Sequence, residues 1–299
     1  MRIDPNLVPT ILADLQQSQV SLNTALQEVS TGKSVNVPSD NPAAAADMVQ
    51  NTIESGDVDQ YTQNVNSVLS TVQSASSVLS SVVTSLTQAV SLGTEGANGT
   101  NTSSNLQAIA TQVNGILSTV VSAANTSNGG SYLFGGTSSS TPYTADSSSS
   151  TGYTYNGNND SNSVAIGDNL SVQVNIPGSQ LFSNPSNNVI GSLSSLVSAL
   201  QSGNSADIES ATSAVDSAIG YVGQQQAIYG NAETKLNSQQ TFLQQDTVTL
   251  STQENNLIGV NEATAATDLS QAETDNSAAL AAAAKVLPNS LLNYLEPPS

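Results

Sequence analysis

The chain has 299 residues, with 23 acidic and 4 basic side chains, a formal net charge of −19 and a charged fraction of only 9%. Four scattered cations, Arg2, Lys33, Lys235 and Lys285, build no basic patch, so nucleic acid and anionic membrane surfaces are poor partners. Cysteine and histidine are both absent, which removes disulfides, thiolate and imidazole metal sites, Cys nucleophiles and His bases; the chain reads as a non-enzyme with no cofactor and no metal.

The start, Met1 to Leu12, carries Asp4, Pro5 and Pro9 and lacks a basic residue cluster followed by an apolar run, so no secretory signal is expected there. No window approaches 18 apolar residues, and no membrane insertion is expected. Val8, Leu15, Leu22 and Val29 recur every seven residues, with Leu12 and Leu26 beside them, which predicts a first helix from about Pro9 to Ser30. Gly32 is placed to end it in the left-handed conformation. In Pro38-Ser39-Asp40-Asn41-Pro42 either Asp40 or Asn41 can cap a second helix, with Pro42 in its first turn.

From Val58 to Ala89 the apolar residues Val65, Val68, Val72, Ala75, Leu79, Val82 and Leu86 alternate at threes and fours, with Ser, Thr, Asn and Gln between them. That is a coiled-coil seam about 48 Å long at 1.5 Å per residue, and it needs a partner stripe. Gly93, Gly96 and Gly99 are expected to break it, and Leu106, Ile109, Val113, Ile116 and Val120 predict a third helix. After Ala124 the pattern turns to alternation. Tyr132 with Phe134, Tyr153 with Tyr155, Val164 with Ile166, and the run Leu170, Val172, Val174, Ile176 read as short strands. Asn156-Gly157 reads as a hairpin turn and Ser147 to Thr151 as an exposed loop tip. Ile190 to Leu200 returns to helical spacing. Val215, Val222, Tyr229, Leu236, Leu243, Leu250 and Leu257 then lie at strict sevens and supply the partner stripe. A last helix with Leu269, Leu280, Ala283 and Leu287 is expected to stop or kink at Pro288, before Leu291, Leu292 and Leu295.

Little here carries chemistry. Asn156 to Asn162 is rich in oxygen side chains but has no EF-hand spacing. The carboxylate pairs Asp57 with Asp59 and Asp207 with Glu209 read as solvated helix faces. Gly32-Lys33-Ser34 lacks the leading glycine of a phosphate loop, since position 27 is Gln27, and follows a helix instead of a strand. The apolar stripes of the first and last helices sit on Ser- and Thr-rich segments that are weak helices alone, which points to surfaces buried on assembly. The fold class is mainly α with a small β insert: long antiparallel coiled-coil helices from both chain ends plus a β-rich outer domain.

Ser30-Thr31-Gly32-Lys33 followed by Pro38-Ser39-Asp40-Asn41-Pro42-Ala43-Ala44-Ala45 resembles the start of the flagellin superfamily. With Tyr132-Leu133-Phe134-Gly135-Gly136-Thr137, Val174-Asn175-Ile176-Pro177-Gly178 and Ser290-Leu291-Leu292-Asn293-Tyr294-Leu295, the chain is similar more narrowly to the hook-associated protein 3 branch, the hook–filament junction proteins. The resemblance implies a terminal helical domain (D0) with its connecting segment in residues 1–46 and 262–299. It further implies a helical rod (D1) in 47–128 and 189–261 and an outer domain (D2) in 129–188.

It implies a structural adaptor secreted by type III export and located at the hook–filament junction of the bacterial flagellum. The implied partners are further copies of itself in a ring, hook-associated protein 1, flagellin and a flagellar export chaperone. Carried over by position, the assembly interface comprises Val8, Leu12, Leu15, Leu22, Leu26 and Val29 with Leu269, Leu280, Ala283, Leu287, Leu291, Leu292 and Leu295. The connecting segment contains Gly32, Lys33, Pro38, Ser39, Asp40 and Pro42. Two departures from the family pattern stand out, Ser34 in place of a basic residue and Val260-Asn261-Glu262-Ala263 in place of an acidic run. The alternatives are a filament flagellin and, in another class, a secreted coiled-coil adhesin.

Overall fold

The computed structural model describes the backbone of residues 7–295 and the side chains of residues 9–285. The first helix, α1 (Leu7–Thr31), ends where Gly32 turns left-handed at φ 70° and its N–H donates to Glu28 O at 2.9 Å. The second, α2 (Pro42–Gly96), opens on a cap by Asn41, whose Oδ1 accepts the Ala44 N–H at 3.1 Å. Asp40 is not the cap. Its carboxylate accepts the N–H groups of Asn36 and Val37, each at 3.0 Å, and so shapes the linker before the helix.

Helix α2 runs through Gly93 instead of breaking there. A Cβ on Gly93 would collide with Thr212 and one on Gly96 with Leu200, so these glycines permit close helix approach. One window of α2 is long and apolar enough to cross a membrane by length and composition alone, contrary to the expectation from the sequence. Its apolar residues lie on one face, where Val65, Val72, Leu79 and Leu86 are fully buried, whereas the opposite face carries hydroxyl and amide groups. Next comes α3 (Ser103–Ala124), with the Thr102 hydroxyl accepting from Asn105 N–H at 3.3 Å.

The β-rich stretch is three separate antiparallel hairpins: β1 (Ser127–Asn128) with β2 (Ser131–Tyr132), β3 (Tyr143–Ala145) with β4 (Tyr153–Tyr155), and β5 (Ser163–Gly167) with β6 (Leu170–Gln173). Asn156-Gly157 does not turn a hairpin. It follows β4, and a Cβ on Gly157 would collide with the Tyr155 hydroxyl, so glycine serves close packing there. The β5–β6 turn instead falls at Asp168-Asn169, where Asn169 takes φ 55°. The β3–β4 tip is the Ser147–Thr151 stretch. Asp146 organises it, accepting from Ser148 N–H at 2.9 Å, Ser148 Oγ at 2.6 Å and Thr154 Oγ1 at 2.7 Å, and these bonds to its charged form hold its pKa down to about 2.

The remaining elements are α4 (Gly178–Leu181), α5 (Val189–Ser202), α6 (Ser205–Ile258) and α7 (Glu262–Leu295). Pro288 does not stop α7, which continues to Leu295.

The chain forms two compact units, residues 58–244 and residues 1–57 with 245–299. In the first, α2 and α6 run antiparallel, as Gln73 to Glu233 (3.1 Å) and Gln240 to Asn66 (2.8 Å) show. The heptad row of α6, Val215, Val222, Tyr229, Leu236 and Leu243, is buried as its spacing predicts. Helix α3 packs on α5. The hairpins gather on Phe134, Tyr143 and Phe182, with Phe134 and Phe182 edge to face at 5.2 Å. Tyr229 joins α6 to this insert by accepting the Ile176 N–H at 3.1 Å, and burial pushes its phenol up to about 12.

Candidate assembly interface

The unit made of residues 1–57 and 245–299 contains α1 packed on α7. On α1 the inward positions are Ile11, Leu15, Ser18, Leu22 and Ala25; on α7 they are Ala265, Leu269, Ala272, Asn276, Ala279 and Ala283. Both series step by fours and threes, the coiled-coil interval. Alanine dominates the α7 row, which brings backbones close but buries little apolar area per step. Two polar members weaken the seam further: Ser18 Oγ and Asn276 Oδ1 are buried without a hydrogen-bond partner among the described residues.

The linkers at the inner ends of these helices are joined to each other. Ser34 N–H donates to Ile258 O at 2.7 Å and Val260 N–H donates to Gly32 O at 3.0 Å, so Lys33 and Gly259 face each other in an antiparallel bridge. Lys33 Nζ reaches Glu254 Oε1 at 3.2 Å across the same junction. This pair is half-exposed, so it orients more than it stabilises. Thr31 Oγ1 donates to Gln27 O at 2.8 Å and accepts Lys33 N–H at 3.2 Å, carrying the chain from helix to bridge. A Cβ on Gly259 would collide with Asn255 O, so only glycine lets α6 turn into the bridge without a shift. Beyond it, Asn261 Oδ1 caps α7 by accepting from Ala263 and Thr264 N–H at 3.1 and 3.3 Å. Ser34, and Val260 at the head of the Val260-Asn261-Glu262-Ala263 run, are thus the two backbone donors of the bridge.

The candidate interface residues divide. Leu15, Leu22 and Leu269 are half-buried and Ala283 is buried in the α1–α7 seam. Leu12 (49% exposed), Leu26 (46%), Val29 (44%) and Leu280 (49%) stand outside it in the single chain. The side chains of Val8, Leu287, Leu291, Leu292 and Leu295 lie outside the described residues. In the connecting segment, Gly32, Lys33 and Asp40 carry the bridge and turn, Pro42 opens α2, and Pro38 and Ser39 are exposed. The heptad row of Val8, Leu15, Leu22 and Val29 leaves out Ile11 and the small seam members Ser18 and Ala25, which also stand at sevens, as do Ala265, Ala272 and Ala279 on α7. The signal was the spacing of small residues.

Among the described residues, this unit has six buried apolar side chains, Ala25, Ala44, Leu250, Ile258, Ala265 and Ala283. Nine of the eleven exposed large apolar side chains among the described residues fall in it; besides the four above these are Val20, Val37, Val49, Ile53 and Val248. The other sequence candidates show no comparable gathering. Asp57, Asp59, Asp207 and Glu209 are exposed on helices. In the Asn156 to Asn162 stretch, Asn158 Oδ1 accepts Thr137 N–H at 2.8 Å and Asn156 Nδ2 donates to Thr144 Oγ1 at 2.8 Å, so these amides pin the loop.

Residues 9–139 match the family model of the bacterial flagellin N-terminal helical region, and residues 212–295 match that of the flagellin C-terminal helical region. No curated protein sequence matches the chain. Among solved structures, a protein of Vibrio parahaemolyticus described as a flagellar hook-associated protein superposes with a TM-score of 0.68 at 19% identity, covering 74% of this chain and 100% of that one. Bacillus cereus FlgL gives 0.60 at 23% identity, with 69% and 99% covered. The flagellar junction protein FlgL of Legionella pneumophila gives 0.59 at 13%, with 71% and 100% covered. At these identities the likeness is one of fold, mainly helical with terminal helical regions around a small β insert.

Proposed function

We propose, from the premise that this chain belongs to the bacterial flagellin superfamily, that it is a non-catalytic structural adaptor at the hook–filament junction of the bacterial flagellum. The observation that carries the reading is the lopsided distribution of apolar surface. Among the described residues, the unit built from both chain ends buries six apolar side chains, four of them alanine, and leaves nine large ones exposed, so its free energy of burial is realised on contact with other subunits. Superposing structures are named as a flagellar hook-associated protein and as a flagellar junction protein, and this supports a junction role in preference to a filament one.

In this reading residues 1–46 and 262–299 form D0 with its connecting segment, 47–128 and 189–261 form D1, and 129–188 form D2. Val8, Leu12, Leu26, Val29, Leu280, Leu287, Leu291, Leu292 and Leu295 meet neighbouring subunits, while Leu15, Leu22, Leu269 and Ala283 hold α1 to α7. The chain is exported, assembles as a ring of copies, and contacts hook-associated protein 1 on one side and flagellin on the other. A cytoplasmic export chaperone shields the last helix before export.

Deletion of the gene tests this directly. Cells that keep hooks but shed flagellin as monomers into the medium are the expected result. Loss of the flagellin pool itself would indicate a filament subunit instead, and continued secretion of the chain from cells lacking the flagellar export apparatus would favour the adhesin class.

A further inference from the structure

A groove of about 450 Å³ opens in the unit of residues 58–244, between the outer face of α2 and the hairpins β1–β2 and β5–β6. This lies within the ordinary size range of small-ligand sites. Among the described residues no acidic or basic side chain lines it. The lining is neutral and hydrogen-bonding: Ser67 and Ser70 from α2, Asn128, Ser131 and Tyr132 from the first hairpin, and Asn162 at the start of the last. Val164 and Val174 give it an apolar side.

The polar groups here are available in a way that their neighbours are not. Between residues 125 and 175 the amides of Asn125, Asn156, Asn158, Asn159, Asn169 and Asn175 are all engaged in hydrogen bonds within the chain. Among the described residues the two asparagines of that stretch with unengaged side chains are Asn128 and Asn162, and both face this groove. On α2, Thr71 and Ser74 return their hydroxyls to Ser67 O (3.1 Å) and Ser70 O (2.8 Å), while the hydroxyls of Ser67 and Ser70 take no partner among the described residues. The Tyr132 phenol is fixed by Thr141 Oγ1 at 3.1 Å, which holds its ring beside the opening.

We propose that this groove binds an uncharged saccharide. A sugar offers adjacent hydroxyls that both donate and accept, matching amides that do the same, and an apolar C–H face that packs on an aromatic ring. A phosphate or carboxylate ligand finds no cation here and a cationic one no carboxylate, so charge selects against both. The inference is independent of the junction reading, because it rests on the β insert and α2 alone.

The test titrates the full-length chain with N,N′-diacetylchitobiose, cellobiose and maltotriose, and with an anionic hyaluronan tetrasaccharide as contrast, read by saturation-transfer NMR. At least one neutral sugar is expected to bind with a millimolar or tighter Kd, and the anionic one at least about tenfold more weakly. Asn128→Ala with Asn162→Ala should weaken the neutral sugar by about tenfold or more, the scale of one or two lost hydrogen bonds. Ser67→Ala gives a second variant on a stable helix, and an unchanged circular-dichroism melt confirms folding for each. No binding of any neutral sugar, equal binding of the anionic one, or indifference to all three substitutions overturns the proposal.

Discussion

The two units of this chain are written in the same helical grammar and yet differ in how much of it they keep for themselves. In residues 58–244 the stripes carry Val, Leu and Tyr on both partners, and the large positions Leu79, Leu86, Leu236 and Phe182 are sealed from solvent. In residues 1–57 with 245–299 the α7 row that faces α1 is mostly alanine, and the large residues Leu12, Val20, Leu26, Val49 and Ile53 point out. Equal heptad spacing therefore does not mean equal stability. Spacing brings helices together, whereas side-chain volume decides whether the pair suffices alone.

The strongest way to break this comparison is to cut into the sealed unit. Leu79→Ala, at a position with no exposed surface, should cost about 3 kcal/mol of unfolding free energy in urea titration, because it removes transfer energy and leaves a cavity. Leu12→Ala in the other unit should change the same titration by less than about 0.5 kcal/mol, as exposed positions do. If Leu12→Ala destabilises the isolated chain as much as Leu79→Ala, the contrast fails. Under the junction reading, Leu12→Ala combined with Leu26→Ala should nevertheless abolish co-sedimentation with flagellin and hook-associated protein 1.

Next in size is Tyr229→Phe, which leaves the buried Ile176 N–H without its acceptor and should cost about 1–2 kcal/mol while α6 keeps its seam. The same tyrosine sets an alkaline limit. Its folded pKa is raised to about 12, so the folded state resists ionisation, and stability is whole below the ordinary value near 10 and falls as pH climbs from there toward about 12. Tyr143, also raised by burial, acts in the same direction. Tyr229→Phe should blunt this alkaline loss, measured as urea midpoints between pH 9 and 12.

Subtler still is the linker bridge. Gly32→Ala strains a residue at φ 70° and should cost about 1 kcal/mol, read as faster amide exchange along residues 11–28 with residues 65–89 unchanged. The smallest effect belongs to the β3–β4 tip. Asp146 has a folded pKa lowered to about 2, so its contribution is present above about 4 and fades as pH drops through that interval. Amide exchange at Ser148 and Ser149 should rise there without any change in the global melt.

Much of this was legible before any coordinates. The α6 row from Val215 to Leu250 was readable because a large apolar residue recurs at every seventh position. The end of α1 at Gly32 and the opening of α2 at Pro42 were readable because those residues have few other uses. The β insert was harder. Asn156-Gly157 carries strong turn chemistry, but the pairing of β3 with β4 had already closed at Ser147–Thr151, and the dipeptide was left to pack against Tyr155. The candidate interface was only half legible, since its outward leucines could be named but its alanine seam could not.

The sequence by itself determined the helices, their stripes and the absence of imidazole and thiol chemistry, because periodicity and composition are properties of the chain read locally. Only the tertiary structure decided which stripe is filled from within: that Ile11, Ser18 and Ala25 turn toward Ala272 and its row, that Gly32 and Val260 lock across two linkers, and that Asn128 and Asn162 come to one groove. These are meetings of residues far apart along the chain. Their outcome depends on matching volumes and on which hydrogen-bonding groups are already engaged, and neither is visible until the partners are side by side.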